Sequence, residues 1–235
     1  MMGKGEIRLF CLPFAGGNSY SYRDWQKKTA DFVDVVPIEL PGRGRRSAEP
    51  LLRSTDQLAE DIFRQIESLL CEPYAVYGHS FGACLSYLLT RRIIAAGLPE
   101  PMHLFCSGRQ APCVKKDRDN RHQLPRPEFI EMLREMGGCP EEILNDDELM
   151  DYFEPIIRAD FQADADYAYQ QVPAFDIPLT VMIGLQDGET TREGGLQWQR
   201  ETVREITFRS FQGGHFFIFV HLDEIGRLIS DSLGD

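Results

Sequence analysis

The stretch Tyr74-Ala75-Val76-Tyr77-Gly78-His79-Ser80-Phe81-Gly82-Ala83 decides how this chain is read. Tyr74–Tyr77 is a short run of aromatic and β-branched residues with the character of a buried strand. Gly78-His79-Ser80-Phe81-Gly82 follows at once and has the form G-x-S-x-G. Ala83–Ala96 is helical by composition, with Leu85, Leu88 and Leu89 on an apolar face and Gly97 as its stop. The pentapeptide alone is a weak signal, because three fixed small residues recur by chance. A strand before it and a helix after it make it a sharp turn that holds Ser80 clear of the backbone. There the N–H of Phe81, at a helix N-terminus, is free to donate to an oxyanion. The bland reading is a tight turn with an incidental serine.

Outward from this turn the chain alternates strands and helices. Ile7–Leu12 is a strand ended by Pro13, and Val33–Leu40 a second, ended by Pro41-Gly42-Arg43-Gly44; Tyr20–Phe32 between them is expected to be helical. Ser54-x-x-Gln57 is a capping-box pattern, followed by Leu58, Ile62, Ile66 and Leu69 at helical spacing. Met102–Ser107, Leu179–Ile183 and Thr207–Phe211 are three more strands; helices are expected near Gly195–Val203 and over Leu222–Leu233. This alternation predicts a parallel α/β sheet. Pro112–Pro178 breaks the rhythm. Phe129, Leu133 and Met136 recur at helical spacing, as do Leu149, Phe153, Ile156 and Ile157, and Tyr167 and Tyr169 close a third expected helix. The expected organisation is a sheet scaffold from residues 1–111 and 179–235 carrying an all-helical insertion at 112–178.

The chain has 235 residues and a formal net charge of −12, from 25 Lys+Arg and 37 Asp+Glu. Such acidity argues against binding nucleic acid or anionic membranes. It is unevenly spread: Glu128–Asp166 holds thirteen acidic and two basic residues, so that segment nets −11 and the remainder −1. Glu128, Glu131 and Glu135 read as the solvated face of a helix. No apolar run approaches the roughly 20 residues of a membrane span, and no signal peptide is evident, so a cytoplasmic protein is expected. The six cysteines form no C-x-x-C pair and have no histidine at zinc-ligand spacing. They are expected to be reduced, buried hydrophobes, with no metal bound.

A serine hydroxyl needs a base to take its proton. Of the five histidines, His79 adjoins Ser80 and should diverge from it, His103 lies in an expected strand, and His122 lies in the insertion. His215, in Gly213-Gly214-His215-Phe216-Phe217, follows the last strand and can swing over the sheet edge; His221 is the runner-up. The base needs a carboxylate to fix its tautomer. Asp187 lies just past the fifth strand, at the end where open α/β sheets place their sites. Asp176 is at the wrong end, and Glu189 is a less well placed substitute. The order Ser80, Asp187, His215 is that of α/β-hydrolases. A second oxyanion donor should come from Pro13-Phe14-Ala15-Gly16-Gly17, with Ala15 the first choice and Phe14 the alternative. Neither a dinucleotide fingerprint nor a P-loop is present, so no nucleotide cofactor is expected.

These residues resemble the stand-alone type II thioesterases of polyketide synthase and nonribosomal peptide synthetase systems. The resemblance runs from about Leu9 to Leu233 and rests on Leu12-Pro13-Phe14-Ala15-Gly16-Gly17, Pro41-Gly42-Arg43-Gly44, Tyr77-Gly78-His79-Ser80-Phe81-Gly82-Ala83 and Gly213-Gly214-His215-Phe216-Phe217. Gly137-Gly138-Cys139-Pro140 and Arg158-Ala159-Asp160-Phe161 resemble the family's lid. The resemblance implies an α/β-hydrolase fold, a mostly parallel sheet flanked by helices with a helical lid. It implies hydrolysis of acyl groups from the phosphopantetheine arm of carrier proteins, with no other cofactor. By position, Ser80 is then the nucleophile, His215 the base, Asp187 its orienting acid, and Phe81 and Ala15 the oxyanion donors. Phe81 stands where many relatives have Met, which bears on substrate size. A carboxylesterase acting on oxygen esters, and a non-catalytic binder on the same scaffold, are the competing readings. The basic residues Arg43, Arg45, Arg46 and Arg53, and those between Arg109 and Arg126 (Arg109, Lys115, Lys116, Arg118, Arg121, Arg126), are expected to steer an acidic carrier. A monomer is expected.

Overall fold

The computed structural model describes residues 6–114 and 120–234. Its centre is a six-stranded sheet of β1 (Ile7–Leu12), β2 (Val33–Pro37), β3 (Tyr74–His79), β4 (Leu104–Ser107), β5 (Leu179–Gly184) and β6 (Thr207–Phe211). The order is β2-β1-β3-β4-β5-β6 and every pairing is parallel. β3, β4 and β5 are buried along their whole length, which is why they read as continuous apolar runs.

The helices are α1 (Thr55–Ile66), α2 (Phe81–Ala95), α3 (Arg126–Met136), α4 (Glu141–Leu144), α5 (Asp147–Ala165), α6 (Arg192–Leu196), α7 (Phe217–Val220) and α8 (Leu222–Gly234). Side chains alternate along each strand, so the sheet feeds two cores. Phe10, Leu12, Val76 and Cys106 pack with Leu58 and Ile62 of α1 and Leu85 and Leu89 of α2. Leu9, Cys11, Tyr77 and Phe105 pack on the other face with Tyr22, Trp25, and Ile225 and Ile229 of α8. Phe129, Leu133, Leu144, Met150 and Ile157 form a third core among α3, α4 and α5.

Several local expectations are corrected. Tyr20–Phe32 is not one helix but two short 3-10 turns, Ser19–Tyr22 and Trp25–Lys27. Tyr22 and Trp25 drive into the core, and the Gln26 side chain caps β2 by bonding Val33 O and Val35 N–H, both at 2.8 Å. Ser54 is the N-cap of α1, but its side chain makes no capping bond. α2 starts at Phe81 instead of Ala83, and β2 ends at Pro37 where Leu40 was expected. α5 ends at Ala165, leaving Tyr167 and Tyr169 outside a helix. The helix near Gly195–Val203 is α6 followed by a 3-10 turn over Gln197–Arg200. None of the six cysteines is in a disulfide; Cys11, Cys84 and Cys106 are buried as expected, but Cys71 is exposed and Cys113 and Cys139 are half-buried. Glu128, Glu131 and Glu135 face solvent as expected, whereas Asp160 and Asp164 of α5 turn inward. No helix among the described residues is long and apolar enough to cross a membrane.

His103 precedes β4, stacked on Phe105 with ring centroids 4.2 Å apart and Nε2 2.8 Å from Thr180 Oγ1. Burial pushes its pKa down from 6.5 to about 4. The folded chain therefore keeps it neutral while the unfolded chain protonates it near 6.5. Its contribution is fully present above that pH and is lost as pH falls from 6.5 towards 4, about 3 kcal/mol in all. Urea titrations at pH 7.5 and pH 5 should show His103→Gln losing about 2 kcal/mol less than the parent chain. Equal losses in the two chains would discard this assignment.

Candidate active site

All the strands point their carboxyl ends to one edge, and the strand order reverses between β1 and β3. A ligand crevice belongs at such a switch point, and Ala15 follows β1 there while Ser80 follows β3. Ser80 has φ 54° and ψ −115°, the one non-glycine residue with positive φ among those described. Such a conformation costs about 1–3 kcal/mol and persists only when its surroundings enforce it. Its N–H donates to Ser107 O at 2.8 Å, and its carbonyl accepts from Ala83 N–H at 3.0 Å. The glycines on either side permit the turn by close approach. A Cβ on Gly78 would sit 2.1 Å from Gly82 O, and one on Gly82 would sit 2.2 Å from Leu12 O.

Ser80 Oγ lies 2.9 Å from His215 Nε2. His215 Nδ1 lies 3.1 Å from Asp187 Oδ1 and 3.0 Å from Oδ2. The Asp187 side chain is fully buried, and its Oδ1 also accepts the Glu189 N–H at 2.8 Å. Main-chain bonds from Leu185 to Phe211 O and from Gln186 to Gly213 O tie the loops after β5 and β6 together. The three residues singled out from sequence are thus one hydrogen-bonded row, in the order that activates a serine.

The other candidates are elsewhere. His79 bonds Ser107 Oγ through Nδ1 at 2.9 Å, with its ring centroid 5.0 Å from that of His215. Burial, with the charge of His215 close by, holds its pKa well below 6.5, so it adds no cation beside the base. His122 lies in the Arg121–Gln123 turn, and His221 Nε2 bonds Gln212 O. Glu189 pairs with Arg121 at 3.0 Å, and Asp176 with Arg204.

The N–H groups of Phe81 and Ala15 have no protein partner among the described residues, and both residues line a narrow opening with Ser80 and His215. Phe14 O accepts from Gly17 N–H at 2.8 Å. In a trans peptide the N–H opposes the C=O, so the Ala15 N–H points out of that turn. This geometry favours Ala15 over Phe14 as the second donor.

Two spaces meet at Ser80. One is an apolar cavity of about 240 Å³, walled by Phe14, Leu133, Met136, Phe153, Ile157, Phe161 and Phe216. The other is the narrow polar opening, bordered by Arg109, Gln110, Arg121, Asp164 and Glu189. A larger cleft of about 420 Å³ lies on another face of α5 and holds none of the row. The polar border was missed from sequence. Arg109 and Asp164 are far apart in the chain, and only the packing of α5 brings them to 2.6 Å.

The basic groups expected to steer a carrier are mostly engaged within the molecule. Arg43 is buried against Asp160, and Arg46 bonds both Asp61 and Glu49. Arg109, Arg121 and Arg126 pair with Asp164, Glu189 and Asp151. Arg45 and Arg53 remain exposed. Lys115, Lys116 and Arg118 lie outside the described residues.

Residues 7–233 match the family model described as the thioesterase domain. The gramicidin S biosynthesis protein GrsT of Aneurinibacillus migulanus is 36% identical over 91% of this chain and 84% of its own length. Among solved structures, the RedJ thioesterase of the prodiginine pathway in Streptomyces coelicolor superposes with a TM-score of 0.89. It is 32% identical, covering 97% of this chain and 86% of that one. The type II thioesterase BorB of the borrelidin cluster gives 0.90 at 32% identity, covering 99% and 94%. With the elbow, the parallel sheet and these likenesses together, the chain belongs to the thioesterase domain family and is a thioester hydrolase of α/β-hydrolase fold.

Proposed function

We propose that this chain hydrolyses acyl groups from the phosphopantetheine arm of carrier proteins in polyketide or nonribosomal peptide assembly. The observation that carries the reading is the Ser80–His215–Asp187 row at the mouth of the apolar cavity, with Ser80 Oγ 2.9 Å from the base. In this reading Ser80 Oγ attacks the thioester carbon as His215 Nε2 takes its proton. Phe81 and Ala15 N–H groups receive the oxyanion. The C–S bond breaks, His215 returns the proton to the leaving thiolate, and an acyl-Ser80 ester remains. Water then attacks that ester with His215 again as base, releasing the free acid. The acyl chain occupies the apolar cavity and the pantetheine arm enters by the narrow polar opening. Residues 112–178 serve as the lid, whose α3 and α5 wall the cavity.

The relatives support the substrate class: GrsT is named for gramicidin S biosynthesis, RedJ for the prodiginine pathway and BorB for the borrelidin cluster. The test is a comparison of kcat/KM on an octanoyl-phosphopantetheinyl carrier protein with kcat/KM on the nitrophenyl ester of the same acid. The carrier-bound thioester should be preferred by about tenfold or more, because only it can use remote binding energy in the transition state. Preference for the oxygen ester would favour a carboxylesterase, and hydrolysis of neither a non-catalytic binder.

A further inference from the structure

The elements Pro41–Gly44 and Arg158–Phe161, far apart in sequence, meet beside the oxyanion loop. Asp160, on the inward face of α5, is fully buried and Arg43 nearly so. Arg43 Nη1 donates to Asp160 Oδ2 at 2.6 Å and Nη2 to Oδ1 at 2.8 Å. Asp160 Oδ2 also accepts the Gly16 N–H at 2.8 Å, and Arg43 Nη1 reaches Gly17 O at 3.3 Å. A carboxylate on the buried face of a helix requires a cation, but a cation alone does not require a third bond to the loop that carries Ala15.

Phe14–Gly17 is a β-turn closed by Gly17 N–H to Phe14 O, with Gly16 at its third position and φ +76°. Turns of this kind have two forms, related by a flip of the central peptide. Here that peptide joins Ala15 to Gly16. In the observed form its N–H faces Asp160. A flip would turn the Ala15 carbonyl to the carboxylate, which repels it, and although it leaves the Phe14–Ala15 peptide nearly unturned, it would break the bond that ties the turn to α5. The turn also lies close against α5, since a Cβ at Gly16 would lie 2.6 Å from Ile157 Cγ1.

We propose that Asp160, neutralised by Arg43, is a positioning residue that anchors the Phe14–Gly17 turn through the Gly16 N–H and so fixes where the adjoining Phe14–Ala15 peptide holds the Ala15 N–H for the oxyanion. α5 then belongs to the catalytic apparatus as well as to the cavity wall. The inference rests on acyl transfer through Ser80.

The test uses Asp160→Asn and the apolar pair Arg43→Met with Asp160→Leu. The single variant leaves a buried guanidinium uncompensated and can lose stability for that reason alone. The double variant removes both charges, and such replacements keep folding stability. With an acyl-pantetheine thioester, both should lower kcat by about 30- to 100-fold with KM within about threefold, since a small misplacement near the reacting atoms costs on that order. Affinity for an alkyl boronic acid, which forms a tetrahedral adduct on Ser80, should fall by the same factor, while affinity for the product carboxylic acid should not change. A purely structural role would let the double variant recover parental kcat along with parental melting temperature, and that result overturns the proposal. A parent chain that neither turns over thioester nor reacts with a fluorophosphonate at Ser80 overturns the acyl-transfer reading and this inference with it. A reactive parent with equally reactive variants overturns this inference alone.

Discussion

Replacing Ser80 by alanine should lower thioester turnover by about 10⁵- to 10⁶-fold, the scale on which a triad fails when its nucleophile is removed. Among the described residues the hydroxyl in hydrogen-bond reach of His215 Nε2 is that of Ser80, so no other hydroxyl or thiol there substitutes for it. Cys84, the cysteine nearest in sequence, is buried in α2. The substitution leaves the elbow intact. The bonds Ser80 N–H to Ser107 O and Ala83 N–H to Ser80 O belong to the main chain. Alanine inherits the same backbone strain at φ 54° and needs no new space. The variant should therefore melt with the parent and still bind substrate, and the residual rate should come from the oxyanion donors and binding alone. Intact-mass analysis after mixing with acyl-pantetheine should find an acyl adduct on the parent and none on Ser80→Ala. Turnover within tenfold of the parent would remove Ser80 from the mechanism.

Asp187→Asn should lower kcat by about 10⁴-fold with little change in KM. The reason is a conflict over one side chain. Asp187 Oδ1 accepts from the Glu189 N–H at 2.8 Å, and both carboxylate oxygens face His215 Nδ1. An asparagine keeps its oxygen on the Glu189 N–H and so turns its NH₂ toward the imidazole. His215 must then accept at Nδ1 and carry its proton on Nε2. In that tautomer it donates to Ser80 and cannot take the serine proton. The side chain is fully buried, so water does not relieve the conflict. Steady-state kinetics together with the imidazole ¹⁵N shifts would test both halves of this expectation. Unchanged kcat, or a proton still on Nδ1, would refute it.

The strands and the reactive row were legible because they depend on local pattern. Ile7–Leu12 and Thr207–Phe211 appear with the bounds expected of them. Ser80, Asp187 and His215 each follow a strand, and parallel strands must end on one edge. Tyr20–Phe32 was misread because Tyr22 and Trp25, three residues apart, fit a helix as well as two turns; what separates them is Gln26 bonding β2, a tertiary contact. The role of the basic groups was misread for a related reason. Arg43 and Arg46 look solvent-seeking in sequence, but Asp160, against which Arg43 is buried, is 117 positions away, and Asp61, which joins Glu49 on Arg46, is 15 away. Asp160 did carry a local sign: it shares a helix face with Ile156, Ile157 and Ala163, where an acid demands a partner.

One property of the sheet bears on how such chains diversify. β4 and β5 are neighbours, yet the chain between Ser107 and Leu179 makes the long excursion that contains α3, α4 and α5. Closing a loop of about 70 residues costs only about 1 kcal/mol more entropy than closing an ordinary crossover of about 20, because the penalty grows with the logarithm of length. The β4–β5 ladder is therefore nearly indifferent to how much chain leaves and returns there. That segment also supplies Leu133, Met136, Phe153, Ile157 and Phe161 to the wall of the apolar cavity beside Ser80. Exposed residues can be inserted or removed in it at small loop-closure penalty, as long as its own buried core of Phe129, Leu133, Leu144, Met150 and Ile157 is kept, while the strands that precede Ser80, Asp187 and His215 stay in register. The cavity wall and the hydrogen-bonded row thus stand on parts of the chain with very different tolerance for changes of length.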